Sequence, residues 1–98
     1  MTKTYYHATP LINLESILAQ GLLRGCDGVV YLTERPEEAV RFVAIHGHTE
    51  ILAVGVNVEE SMVTESFDHS FAFFKCRAFT YPDDIPPSEI EELLKYER

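Results

Sequence analysis

Few residues in this chain are suited to chemistry, and they gather in its first half. His7 closes an aromatic run, Tyr5-Tyr6-His7-Ala8-Thr9. An imidazole there can offer one ring nitrogen as a hydrogen-bond acceptor, and the Thr9 hydroxyl follows two residues on. Tyr31 and Phe42, eleven positions apart, supply two aromatic faces. Such a pair can sandwich a flat cationic ring, with a cation–π contribution. Each residue also has a plainer use. A His at a strand end is often structural, Tyr31 and Phe42 could be core, and Thr9 could cap the helix that follows. Cys26 and Cys76 have no His-Asp company in the sequence, which argues against cysteine or serine hydrolase chemistry.

These residues need elements to position them. Thr4 to Ala8 is short, aromatic and bounded by Pro10, and reads as a strand. Pro10 to Gln20 reads as a helix with Leu11, Leu14, Ile17 and Leu18 as its buried stripe. Gly21 is suited to stop it in the left-handed cap conformation. Val29 to Thr33 is a second strand. Pro36 to about His46 is a second helix, with Glu37 and Glu38 at its positive end and Thr33 as a candidate cap. Ala39, Val40, Phe42, Val43 and Ile45 form its apolar side, and Gly47 ends it.

Ile51 to Val58 reads as a clear strand, with Ile51, Ala53, Gly55 and Asn57 on one face and Leu52, Val54, Val56 and Val58 on the other, the expected core face. Val63 to Glu65 and Lys75 to Tyr81 read as further strands, with a loop from Ser66 to Phe74. Ile90, Leu93 and Leu94 recur at helical spacing and suggest a terminal helix. The order β-α-β-α-β-β-β-α points to an α+β domain with mixed sheets rather than a doubly wound fold.

Composition narrows the function. Ninety-eight residues correspond to one domain, spanning 1–98. The net charge of −8 argues against general nucleic-acid binding, which needs a basic surface. Glu89, Glu91, Glu92 and Glu97 crowd the C-terminal segment, and Glu34, Glu37 and Glu38 flank the second helix. Such acidity serves solubility, or an acidic face that docks on a basic partner. No apolar stretch is long enough to span a membrane, and Met1-Thr2-Lys3-Thr4 opens no signal peptide, so a cytoplasmic location is expected. The cysteines are expected to be free thiols there. His46-x-His48 is the only close pair of metal-ligand types, so no metal is expected. No G-x-G-x-x-G or Walker motif occurs.

Taken in order, these residues resemble the ADP-ribosyltransferase-like superfamily, whose branches include poly(ADP-ribose) polymerases, diphtheria-toxin-like transferases, DarT toxins and Tpt1/KptA RNA 2′-phosphotransferases. His7-Ala8-Thr9 is similar to the end of the family's first strand. Ser16-Ile17-Leu18-Ala19-Gln20-Gly21-Leu22 is similar to its first helix. Tyr31 and Phe42 look like the aromatic pair of the polymerase-like branch. Tyr81-Pro82-Asp83-Asp84-Ile85-Pro86-Pro87-Ser88-Glu89-Ile90 looks like the close of the Tpt1/KptA and DarT domains.

The resemblance implies a split-sheet fold with a cleft that binds NAD, as substrate, or an ADP-ribose-containing nucleotide. It implies His7 and Tyr31 as catalytic residues and His7, Ala8, Thr9, Tyr31 and Phe42 as the binding set. It also implies a recognition loop at 66–74 that meets a protein target. One part departs from the pattern. Transferring members carry a Glu near the start of the last strand, and here that position falls near Ala78 or Thr80. The phosphotransferase branch relies on an Arg before the first His and a His in the second strand, where this chain has Tyr6 and Tyr31.

Three functions follow. The first is nucleotide binding with little or no transfer. The second is a mono-ADP-ribosyltransferase that borrows Asp68, Asp84 or Glu34 as its acid. The third is a small acidic adaptor or inhibitor, of phage type for instance, acting by protein–protein contact.

Overall fold

Alternating apolar residues build a sheet, and the sheet organises everything else. A computed structural model describes residues 1–25, 28–66 and 78–97. Cys26, Cys76, Asp68, the loop body 67–74 and the first residues of the expected last strand lie outside that description.

The strands are β1 (Thr2–Pro10), β2 (Val30–Thr33), β3 (Glu50–Glu59), β4 (Thr64–Ser66), β5 (Ala78–Tyr81) and β6 (Ile90–Glu97). They form one sheet in the order β4-β5-β2-β1-β3-β6. Every pairing is antiparallel. The α+β class holds, while the expectation of mixed sheets does not. Short connections and hairpin-like returns leave no parallel pair among the described strands.

β1 pairs with β3 along its whole length, placing Tyr5 opposite Val56, His7 opposite Val54 and Thr9 opposite Leu52. Facing residues of an antiparallel pair share a side. One side of the sheet therefore carries Tyr5, His7 and Thr9, and the other Tyr6 and Ala8. By contrast, β1 meets β2 at a single pair, Tyr6 opposite Thr33. The sheet thus consists of two three-stranded halves, β4-β5-β2 and β1-β3-β6, joined at a sparse seam.

Packing holds the halves together where the ladder does not. Tyr5, Leu52, Val54 and Val56 from one half share a core with Val30, Leu32 and Phe79 from the other. The Tyr5 and Phe79 rings lie 5.4 Å apart at 59°. Each fully buried aliphatic side chain here contributes about 1.5–3 kcal/mol.

Helix α1 (Leu14–Gln20) covers this side through Ile17, with Leu11 and Leu14 partly buried. Leu18, expected in its buried stripe, is exposed. Pro10 does not start the helix, since it ends β1 opposite Ile51, and a 3-10 turn at Leu11–Asn13 intervenes. Gly21 closes α1 at φ 77°, ψ −156°, a positive-φ conformation that is not the left-handed helical cap.

Helix α2 (Pro36–Ala44) packs on the opposite side, where Val40, Ile51 and Ala53 are buried with Ala8, Val43, Ala44, Leu94 and Tyr96 against them. Both sides of β3 are consequently buried, not one alone. Arg35, not Thr33, occupies the α2 cap position, and the Thr33 hydroxyl donates to the Arg35 carbonyl at 2.8 Å.

The expected terminal helix is strand β6. Its register against β3 shifts at Gly55/Val56: Glu92 faces Gly55 and Ile90 faces Val56, so Glu91 is an extra, bulged residue. That extra residue restores Ile90 and Leu93 to the same side at a spacing of three, which mimics a helical stripe. Glu, Leu and Lys favour helices in isolation, but pairing along β3 overrides that preference.

Candidate functional site

The seam between β1 and β2 holds the most chemically distinctive contact. His7 follows Tyr6, the one residue of β1 paired with β2. Its Nδ1 lies 2.8 Å from the Tyr31 carbonyl oxygen. A carbonyl only accepts, so Nδ1 carries the proton and donates. In the neutral ring Nε2 is then an acceptor, and it has no partner among the described residues. Burial lowers the His7 pKa below the ordinary 6.5, against a smaller upward pull from the Tyr31 carbonyl. The ring is therefore neutral at physiological pH, half-buried, and presents a lone pair at Nε2.

Thr9 shares the side of the sheet that carries His7 but is already engaged. It is buried, and its Oγ1 accepts a hydrogen bond from Asn13 Nδ2 at 2.7 Å. This bond ties β1 to the turn before α1. Ala8 points the other way, into the packing beneath α2.

Tyr31 lies opposite Thr80 of β5, on the side of β2 away from the buried Val30 and Leu32. That is the α2 side, where Phe42 also belongs through its helix. The Tyr31 residue is 46% exposed and Phe42 is half-buried. The structure thus brings His7 to the Tyr31 backbone, while the aromatic side chain of Tyr31 leaves the sheet on the opposite side from His7.

Of the carboxylates that could stand in for the missing acid, Glu34 and Asp84 are engaged elsewhere, and Asp68 lies outside the described residues. Ala78 is buried and pairs with Thr33 and Ser66. Thr80 stands between Tyr31 and Thr64. Glu34 accepts from Lys3 Nζ at 2.9 Å. That bond is the main cause of the raised Lys3 pKa. Asp84 accepts the Arg24 backbone N–H at 2.8 Å and Arg24 Nε at 3.3 Å. The backbone bond, helped by the guanidinium charge, lowers the Asp84 pKa.

A second polar group escaped the sequence reading. Tyr6 OH donates to Glu92 Oε1 at 2.7 Å, Thr4 Oγ1 donates to Glu91 Oε2 at 2.6 Å, and Asn57 Nδ2 donates to Glu91 Oε1 at 2.8 Å. The Tyr6 phenol is pushed up to about 12, chiefly by its bond to Glu92 and then by burial. Nothing in the local sequence signals this cluster, because it depends on the β6 bulge and joins residues 86 positions apart.

Two surface grooves are lined by described residues. One, of about 560 Å³, lies between Pro10–Ile12 and Gly47–Glu50. The other, of about 370 Å³, lies between Leu18 of α1 and the start of β6. Neither takes a wall from His7, Tyr31 or Phe42. No helix among the described residues is long and apolar enough to cross a membrane. No group of three or more metal-ligand side chains occurs among them. No protein-family model matches the chain, and no curated protein matches it.

Proposed function

We propose that the chain binds NAD or an ADP-ribose-containing nucleotide at the β1–β2 seam, with His7 as its anchor and with transfer slow or absent. One observation carries this reading. His7 is held by a single donated bond to Tyr31, is neutral, and keeps Nε2 as an acceptor without a partner among the described residues. A ribose hydroxyl is a fitting donor to that lone pair. The ordered resemblance of His7-Ala8-Thr9, Tyr31 and Phe42 to the ADP-ribosyltransferase-like superfamily supports the choice of ligand. Tyr31 and Phe42 lie on the α2 side, away from His7, so His7 alone anchors the ligand and Tyr31 contributes only the carbonyl that fixes the imidazole.

Transfer of ADP-ribose expels nicotinamide through an oxocarbenium-like transition state, and a carboxylate beside the developing charge lowers that barrier. Ala78 and Thr80 offer none, and Glu34 and Asp84 are held by Lys3 and Arg24. Asp68 lies outside the described residues; without an acid beside the developing charge, transfer is expected about 10²–10³-fold more slowly than with it in place.

Calorimetric titration with NAD, ADP-ribose and nicotinamide tests the reading. Binding of NAD and ADP-ribose that is lost in His7→Ala is the expected result. Absence of any binding at millimolar ligand would overturn it and leave the acidic adaptor as the better account. Robust nicotinamide release by the unmodified protein would overturn the assignment of slow transfer.

A further inference from the structure

We propose that the outer edge of β6, with the groove beside it, is a docking site for an extended, basic–apolar segment of another protein. The proposal is independent of the nucleotide reading.

β6 ends the sheet, and among the described strands it pairs only with β3. An edge strand presents unpaired backbone N–H and C=O groups that can accept one more strand. Directly beside this edge lies the groove of about 370 Å³ lined by Leu18, Pro87, Ile90 and Leu93, with Glu91 and Glu92. Its apolar wall is unusually open: Leu18 is 54% and Leu93 38% exposed. Leu93 faces Val54, so the groove opens on the α1 side of the sheet. A strand added along β6 would drop every second side chain into it.

The intervening side chains of such a strand would project to the other side. There the bulge gathers Glu91 and Glu92, both turned toward Thr4, Tyr6 and Asn57. Those three donors are neutral, and no described cation lies within ion-pair distance of either carboxylate. Two uncompensated negative charges on one side and an apolar groove on the other select a strand alternating basic and apolar residues. A second copy of this chain is a poor occupant, because each copy brings a net charge of −8 and the same glutamates to the contact.

The probe is a fluorophore-labelled octapeptide alternating valine and lysine, followed by anisotropy at low and physiological salt. The expected result is saturable binding, no binding of the valine–glutamate counterpart, and new hydrogen-exchange protection of the Leu93–Tyr96 amides. Leu93→Glu is expected to weaken binding about tenfold or more, because it removes apolar contact from the groove. That variant also adds negative charge, so attraction by charge alone would make it bind more tightly; unchanged or tighter binding would overturn the proposal. Leu93 is exposed enough for the variant to fold, and Leu18→Glu is a second test on the opposite wall. A peptide N-methylated at alternate residues cannot add to the edge, and equal affinity for it would also overturn the proposal. So would sedimentation of the unmodified protein as a dimer that Leu93→Glu dissolves, which would assign the edge to a second copy.

Discussion

Replacing Gly21 by alanine tests whether the turn after α1 is as tightly determined as the structure implies. Gly21 has φ 77° and ψ −156°, a conformation that L side chains rarely adopt. Holding alanine there costs about 1–3 kcal/mol. Space adds a second cost. A Cβ at Gly21 would collide with the Ile85 carbonyl oxygen and lie 2.9 Å from the Pro86 carbonyl carbon.

That collision falls on backbone, so the two segments must separate. Separation breaks the reciprocal bonds from Leu22 N–H to Ile85 O and from Ile85 N–H to Leu22 O, each 2.8 Å. Both residues are buried, and each lost bond costs about 1 kcal/mol. The sum is about 3–5 kcal/mol, a large share of the ~5–15 kcal/mol typical of a domain. Urea denaturation followed by far-ultraviolet circular dichroism measures it. Gly28→Ala is the internal control: φ is 83° but no atom lies within 4 Å of the added Cβ, so only the conformational cost of about 1–3 kcal/mol is expected, without the steric part. A loss below about 1 kcal/mol for Gly21→Ala, or equal losses for the two variants, would refute the steric argument.

Three further outcomes are expected. Tyr6 has a folded-state pKa raised to about 12 from 10, so its contribution to stability is fully present below pH 10 and is lost as pH rises through 12. Tyr6→Phe should remove that component of the alkaline loss, as read from denaturation midpoints of the two proteins across that range. His7 should titrate below 6.5 and show the Nδ1–H tautomer by nitrogen NMR; because its folded pKa is lowered, the stability it contributes as a neutral ring is present above 6.5 and is lost on acidification. Thr80→Glu places a carboxylate opposite Tyr31 at a half-buried position. That side of the sheet is the one away from His7, so nicotinamide release from NAD is expected to stay at the wild-type level, and a rise abolished by adding His7→Ala would count against anchoring at the His7 side.

The parts of the fold legible in the sequence are those whose pattern has one local cause. The apolar run at 51–58 marked β3, the aromatic run marked β1, and Pro36-Glu37-Glu38 marked the start of α2. What was hidden depends on partners. Ile90-Glu91-Glu92-Leu93-Leu94 has the spacing of a helix, and only the facing Gly55 and Val56 reveal it as a bulged strand. The burial of Ile51 and Ala53 required knowing that α2 lies over them. The order of His7 and Tyr31 suggested a shared cleft, whereas the structure joins His7 to the Tyr31 backbone and sends the Tyr31 ring to the other side of the sheet. That order did not reveal that the contact uses the Tyr31 carbonyl, since a backbone acceptor leaves no trace in residue type.

The sparse seam has a consequence for how the chain can be divided. Each half-sheet is assembled from segments that alternate along the sequence: β1, β3 and β6 in one, β2, β4 and β5 in the other. The backbone therefore crosses from half to half between β1 and β2, β2 and β3, β3 and β4, and β5 and β6. A line that one residue pair barely closes is stitched covalently at four places. No single cut yields two fragments that each contain a whole half-sheet, so the halves cannot be expressed apart as contiguous pieces. The seam can loosen during a fluctuation while the crossings keep its two sides in register to close again.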